Sequence, residues 1–253
     1  NPTPESSRPK IQRVAEYVGF GNRNFFAKHY SPKLVSIGPI HHGNTNLKLG
    51  EKYKLMWAAK YIKNTRKVQK DMHNKIADNI DELKGHFSDD VLTLTGKSLE
   101  GFGSIKEKLS WMLFVDGCSL LHIMDTAKLH EPGQMNIKLD QRNLVMIDVV
   151  LLENQLPYEV LKLLWKDNNE NELIMTMKNF LGCHLWATPD NKRNQRWRRN
   201  QETSNMVPDR KGKEQHSVLI MNESETPTHL LDITHLLDLY RNIILGTSKP
   251  KVE

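Results

Sequence analysis

Apolar residues recur at every third or fourth position through much of this chain, a spacing that builds one-sided helices rather than strands. The clearest stripe is Val68, Met72, Ile76, Ile80, Leu83 and Phe87, with Lys, Asp and Asn between them, and it predicts one amphipathic helix over 68–87. Leu55, Met56, Ala59 and Ile62 predict an earlier helix over 49–64, whose lysines read as a solvated face rather than a nucleic-acid footprint. Ser104 and Glu107 have the spacing of a capping box, in which each side chain satisfies a backbone donor of the first turn. The helix they open runs through Leu109, Trp111, Met112 and Leu113 toward Met124, with two helices joined near Gly117. Leu173, Ile174, Met177, Phe180 and Leu181 predict a helix over 172–185. Leu230, Ile233, Leu236, Leu237, Tyr240 and Ile244 predict a last one over 229–245, with Gly246 as its stop.

The densest apolar run is LVMIDVVLLENQLPYEVLKLLW at 144–165, interrupted only by Asp148, the triplet Glu153, Asn154 and Gln155, and Pro157. A helix apolar on most sides belongs inside a domain, so this run is expected to be the buried organising element. Pro157 lacks an N–H and restricts Leu156 to extended geometry, so one helix should stop near Gln155 and another start at Pro157. A broken helix leaves backbone groups without partners, and each unsatisfied buried group costs roughly 1 to 3 kcal/mol. Glu153, Asn154, Gln155 and Pro157 therefore read as a structural polar corner.

Between these elements lie a Pro-rich leader at 1–9 and a turn-rich stretch at 11–39. A long polar insertion at 187–228 and a tail at 247–253 complete the chain. The expected architecture is mainly α: a single compact helical domain with few or no strands. Its core is 10–186, the insertion interrupts it, and a C-terminal helix at 229–246 packs back on the core. No strand-helix alternation points to a parallel sheet, and no internal repeat emerges.

Composition adds class rather than chemistry. The 253 residues are 38% hydrophobic and 26% charged. With a mean hydropathy of -0.58 they describe a soluble globular chain without an apolar span of about 20 residues. The net charge of +6 permits weak attraction to anionic partners. Cys118 and Cys183 are too few and too far apart for a disulfide scaffold and read as small buried hydrophobes.

Candidate chemistry is sparse. Gly38, Pro39, His41, His42 and Gly43 form a loop whose paired histidines invite a metal reading. Adjacent loop residues rarely ligate one ion together, and no second half of a site is evident, so no metal is expected. Gly96-Lys97-Ser98 ends like a phosphate loop, but Val91 stands where the motif needs its first glycine, and no cofactor is expected. Lys192, Arg193, Arg196, Arg198 and Arg199 surround Trp197 in the insertion. That run could contact an anionic partner, but without a fold motif beside it nucleic-acid binding is not expected.

Four stretches carry a resemblance. They are KIQRVAEYVGFGNRNFFAKHYSPKLVSIGPIHHGN at 10–44, WMLFVDGCSLLHIM at 111–124, DVVLLENQLPYEVL at 148–161, and THLLDLYRNIIL with its flanking residues at 228–245. In this order they resemble the plant family catalogued as domain of unknown function 247. Ala15 departs from it, standing where the early motif usually continues with Pro. The resemblance implies a plant protein without an established enzymatic activity. It also implies a full-length protein at a membrane through a terminal hydrophobic segment absent from this chain, which itself should be soluble. Some members resemble determinants of self-incompatibility in grasses. The expected function is a non-enzymatic interaction or signalling module with an unidentified protein partner. The alternative is an uncharacterised hydrolase or transferase using Glu153 with His41, His42 or His122 brought close by folding.

Overall fold

A computed structural model of the chain describes residues 9–15, 30–126, 133–167, 169–186 and 233–246. Regular structure among these residues is helical, apart from one parallel bridge between Ile11 and Phe87. The fold is mainly α, as the apolar spacing predicts.

Helix α1 (Lys48–Thr65) follows a single 3-10 turn at Thr45–Leu47, where the Asn44 side chain accepts from the N–H of Asn46. It ends at Arg66, which is left-handed (φ 56°) and donates its N–H to Lys63. The stripe expected as one helix over 68–87 is divided into α2 (Gln69–Asp78) and α3 (Ile80–Lys84). Asn79 breaks it. Its backbone leaves helical geometry at φ -100°, ψ 9°, while its side chain bonds the carbonyl of Lys75, the local competition that makes Asn a poor helix-interior residue. Met72, Ile76, Ile80, Leu83 and Phe87 are all buried, so the stripe marks the core face correctly. Val68 is 62% exposed and does not belong to it.

Helix α4 (Asp89–Gly96) has no counterpart in the periodicity, since its eight residues bury only Val91 and Thr95. Asp89 and Asp90 in its first turn favour it by facing the positive end of the helix dipole.

Helix α5 (Ile105–Thr126) is the central element. It is one unbroken helix rather than two joined near Gly117, and from Lys108 onward it is buried at nearly every position. Gly117 is a crossing point. An added Cβ there would lie 2.5 Å from a methyl of Leu164 and 2.9 Å from one of Val160. Ser104 caps the helix through the N–H of Glu107, and Glu107 reaches back to the N–H of Gly103, one residue earlier than an ideal capping box.

Helix α6 (Leu139–Asp148) stops well short of Gln155; residues 149–154 are turns and bends, and 155–157 have no regular structure. The expectation of a helix buried on most sides is corrected here. Leu144, Ile147 and Leu152 are exposed, because an interrupted run can bury only the faces its turns bring inward. Helix α7 (Tyr158–Leu164) starts directly after Pro157. Then come α8 (Glu170–Trp186) and α9 (Leu236–Gly246). Helix α5 packs against α1, α2, α7 and α8, and α9 lies against α8. One hydrophobic cluster runs from Ile11 through Trp57, Phe114 and Phe180 to Leu239. Two of its polar aromatic edges are satisfied, with the Trp57 indole donating to Met135 O (2.9 Å) and the Tyr61 hydroxyl to Leu164 O (3.1 Å), while the buried Trp165 indole nitrogen has no hydrogen-bond partner among the described residues. Residues 1–8 of the leader, residues 16–29 of the turn-rich stretch, the insertion at 187–228, residues 229–232 of the expected last helix and the tail at 247–253 lie outside the described residues, as does the Cys183 side chain.

A close backbone approach yields a prediction. A Cβ on Gly50 of α1 would fall 1.8 Å from Leu34 O and 3.1 Å from Val35 Cα. Gly-to-Ala exchange inside a helix gains about 1 kcal/mol from propensity, yet backbone cannot yield as a side-chain tip does. Gly50→Ala is expected to lower stability by about 1 to 3 kcal/mol. Urea unfolding checks this, and an unchanged or raised midpoint contradicts it.

Candidate functional site

Segment 33–38 is non-helical, and Leu34 to Gly38 are buried without a strand beside them. Buried backbone groups require partners, and here side chains provide them. Asp148, the last residue of α6, accepts from three N–H groups: Lys33 at 2.8 Å, Leu34 at 2.7 Å and Val35 at 2.9 Å. Asn154 accepts from Ile37 at 2.6 Å and donates to Val35 O at 2.9 Å and Asp148 O at 2.8 Å. Asp116 on α5 accepts from the N–H of Gly38 at 2.9 Å. Burial pushes the Asp148 carboxyl up from its ordinary value, and the three N–H donors oppose that push.

Asp116 also holds Lys54 of α1 at 2.6 Å, with both side chains 1% exposed. Lys54 further contacts Glu51 at 3.0 Å and the Ser36 hydroxyl at 3.3 Å, and that hydroxyl donates to Glu51 at 2.7 Å. Burial works against the Lys54 ammonium, but the attraction of Asp116 and Glu51 outweighs it and raises the amine. Burial pushes the Asp116 carboxyl up against the pull of Lys54. A serine beside a lysine invites a nucleophile-base reading. This lysine holds its proton, and Ser36 is fully buried, so the pair serves as a structural tie.

The corner residues divide the remaining work. Gln155 donates to the carbonyls of Val149 (3.1 Å), Leu151 (2.7 Å) and Asn154 (3.1 Å). It accepts from the N–H of Leu237, which fastens the start of α9. Pro157 is buried at the N-cap of α7. Glu153, 1% exposed, accepts from the N–H of Val14 at 2.7 Å and lies 3.0 Å from His41 Nε2. That nitrogen has no aligned hydrogen bond, so the His41 contact is electrostatic proximity. Gly38 adopts φ +79°, and a Cβ there would fall 2.4 Å from Gln155 O. Pro39 beside it is buried, and Gly43 (φ +76°) lies at the exposed end of the loop.

The two loop histidines diverge. His42 lies 3.4 Å from Glu100, whose carboxylate also holds Lys108 at 2.9 Å and is kept below its ordinary value chiefly by that bond. Among the described residues no group of three His, Cys, Asp or Glu side chains could hold a metal ion. His122 is buried on α5, its Nε2 lacks a hydrogen-bond partner among the described residues, and Glu153 meets Val14 and His41 instead. The basic run Lys192, Arg193, Arg196, Trp197, Arg198 and Arg199 lies outside the described residues. Sequence reasoning missed Asp116, Lys54 and Ser36 and gave Asp148 no role. The available signal was a charged residue set inside an apolar run, as Asp116 and Asp148 both are.

The model of domain of unknown function 247, a plant protein of unknown function, matches residues 11–253. The UPF0481 protein At3g47200 of Arabidopsis thaliana is 24% identical over 180 residues, covering 67% of this chain and 34% of its own length. The chain thus spans about a third of the length of that curated relative. No solved structure matches.

Two predictions come from this geometry. Asn154→Ala removes three buried hydrogen bonds and is expected to lower stability by about 1 to 3 kcal/mol in urea unfolding; an unchanged midpoint contradicts it. Burial, then the Lys60 cation, depresses His122 from 6.5 to about 4. The unfolded chain takes up this proton first as pH falls, so the contribution is complete above the unfolded value and is lost between the two. It amounts to about 3 kcal/mol at most. His122→Leu should flatten the stability profile across that window, and an unaltered slope contradicts the assignment.

Proposed function

The chain belongs to the plant family of domain of unknown function 247, and on that premise we propose that it is a non-enzymatic protein-interaction or signalling module. The observation that carries this reading is the commitment of the buried acids. Asp148, Asp116 and Glu153 all accept from backbone N–H groups of the 14–38 region, which makes them ties rather than free acid-base groups. Their joint effect is to hold the loop that ends in Gly43, Asn44, Thr45 and Asn46, all exposed, on a rigid helical frame. Recognition in reproduction is the specific role to which the family resemblance points within this class. No helix among the described residues is long and apolar enough to cross a membrane. Membrane attachment of the full-length protein is a separate proposal, resting on the family pattern.

One observation favours the alternative of a hydrolase or transferase, namely the 3.0 Å approach of His41 to Glu153. The near-complete burial of Glu153 weighs against it, since a catalytic carboxylate must meet substrate.

The discriminating experiment pairs crosslinking in plant cells with activity assays. Thr45→Arg/Asn46→Arg alters the exposed end of the loop and is expected to abolish capture of at least one crosslinked partner without moving the melting midpoint. Turnover of an ester or acyl-donor panel that is lost in both His41→Ala and Glu153→Gln would overturn the non-enzymatic reading.

A further inference from the structure

The turn between α1 and α2 holds a concentration of positive charge that no ion pair among the described residues neutralises. Lys60, Lys63, Arg66, Lys67 and Lys70 fall within eleven residues that contain no carboxylate. Five lysines outside this turn, Lys54, Lys106, Lys108, Lys162 and Lys166, each have an acidic partner. Lys63, Arg66 and Lys70 are exposed and make no ion pair among the described residues. Lys67 donates to Trp165 O at 3.0 Å, which fixes the turn against the end of α7. Burial and then the repulsion of Lys75 lower its amine, and the attraction of Asp167 only partly opposes them. The neighbouring carboxylates are Asp71 and Asp167.

Two further features define what this charge would meet. Val68 stands between Lys67 and Lys70 and is 62% exposed, so an aliphatic side chain projects from the middle of the cations. Arg66 holds a left-handed conformation at φ 56°, where glycine would be the relaxed choice, and so keeps a cation at the turn itself.

We propose that the α1–α2 turn docks on an anionic membrane surface, with Lys63, Arg66 and Lys70 against lipid headgroups and Val68 entering the interface between them. Phosphate and carboxylate headgroups supply the charge the turn lacks, and long basic side chains reach them while an apolar residue is drawn inward. Nucleic acid fits less well, because stacking on bases needs an exposed aromatic, and Tyr61, the aromatic within the run, is 1% exposed. A peptide-binding groove fits less well too, because Val68 projects instead of lining a depression. This contact belongs to residues 60–70 and is independent of the interaction reading above.

Co-sedimentation of the full chain with vesicles tests it. Vesicles of mixed phosphatidylserine and phosphatidylcholine are expected to bind the chain, phosphatidylcholine alone is not, and binding should fall as salt rises. Lys63→Gln/Arg66→Gln/Lys70→Gln should weaken binding to the anionic vesicles about tenfold or more. Val68→Ser should weaken it several-fold with the charge intact. The melting midpoint of each variant should match the wild type, since these side chains are exposed and make no hydrogen bond or ion pair among the described residues. Arg196→Gln/Arg198→Gln/Arg199→Gln serves as the comparison and should retain most of the binding. Equal binding to both vesicle types overturns the proposal, as does loss in the comparison variant alone. Capture of a single-stranded oligonucleotide or an acidic peptide in place of vesicles overturns it as well.

Discussion

Everything around the corner depends on one requirement: segment 34–38 is buried, is not helical, and has no neighbouring strand among the described residues to bond its backbone. In a sheet, adjacent backbone would complete those groups. In a helical protein the partners must be side chains long enough to cross from helix to loop and rigid enough to stay there. Asp148, Asn154 and Asp116 meet that need, and their positions explain several local features at once. Helix α6 ends where Asp148 must face the loop, and Gly38 is left-handed and bare because its backbone meets Gln155 O. Gly50 is bare because α1 runs directly against Leu34.

The same requirement accounts for an expensive arrangement of charges. Burying ions costs several kcal/mol each unless they are paired and hydrogen-bonded. Asp116 meets both conditions, with Lys54 on one oxygen and the N–H of Gly38 on the other. Such a pair adds little net stability compared with apolar packing, and what it contributes is direction: it admits one placement of the loop relative to α1 and α5. A loop tied in this way resists rearrangement.

The basic turn between α1 and α2 differs in kind. At the corner Asp116, Asp148 and Lys54 have partners inside the molecule, whereas Lys63, Arg66 and Lys70 at the turn make no ion pair among the described residues. Exposed cations on a helix are ordinary by themselves. Their concentration without carboxylates, around a projecting Val68, is what sets this turn apart from the paired lysines elsewhere.

Helical class, most helix positions, the capping by Ser104 and the polar character of residues 153–155 were determined locally, by spacing and by side chains acting on their own turn. For that reason they were legible in the chain alone. The stripe from Met72 to Phe87 identified the buried face but not the break at Asn79, because periodicity records which side faces inward and not whether the axis continues. Gly117 looked like a joint, and only the crossing of α7 shows it to be a point of close approach within one helix. Leu144, Ile147 and Leu152 looked like core, yet burial depends on what the rest of the chain can cover. The partners of Asp148 and Lys54 lie 115 and 62 positions away, at Lys33 and Asp116, and no local pattern encodes so distant a contact. What tertiary structure alone decided was which polar groups meet, because that is set by where helices cross.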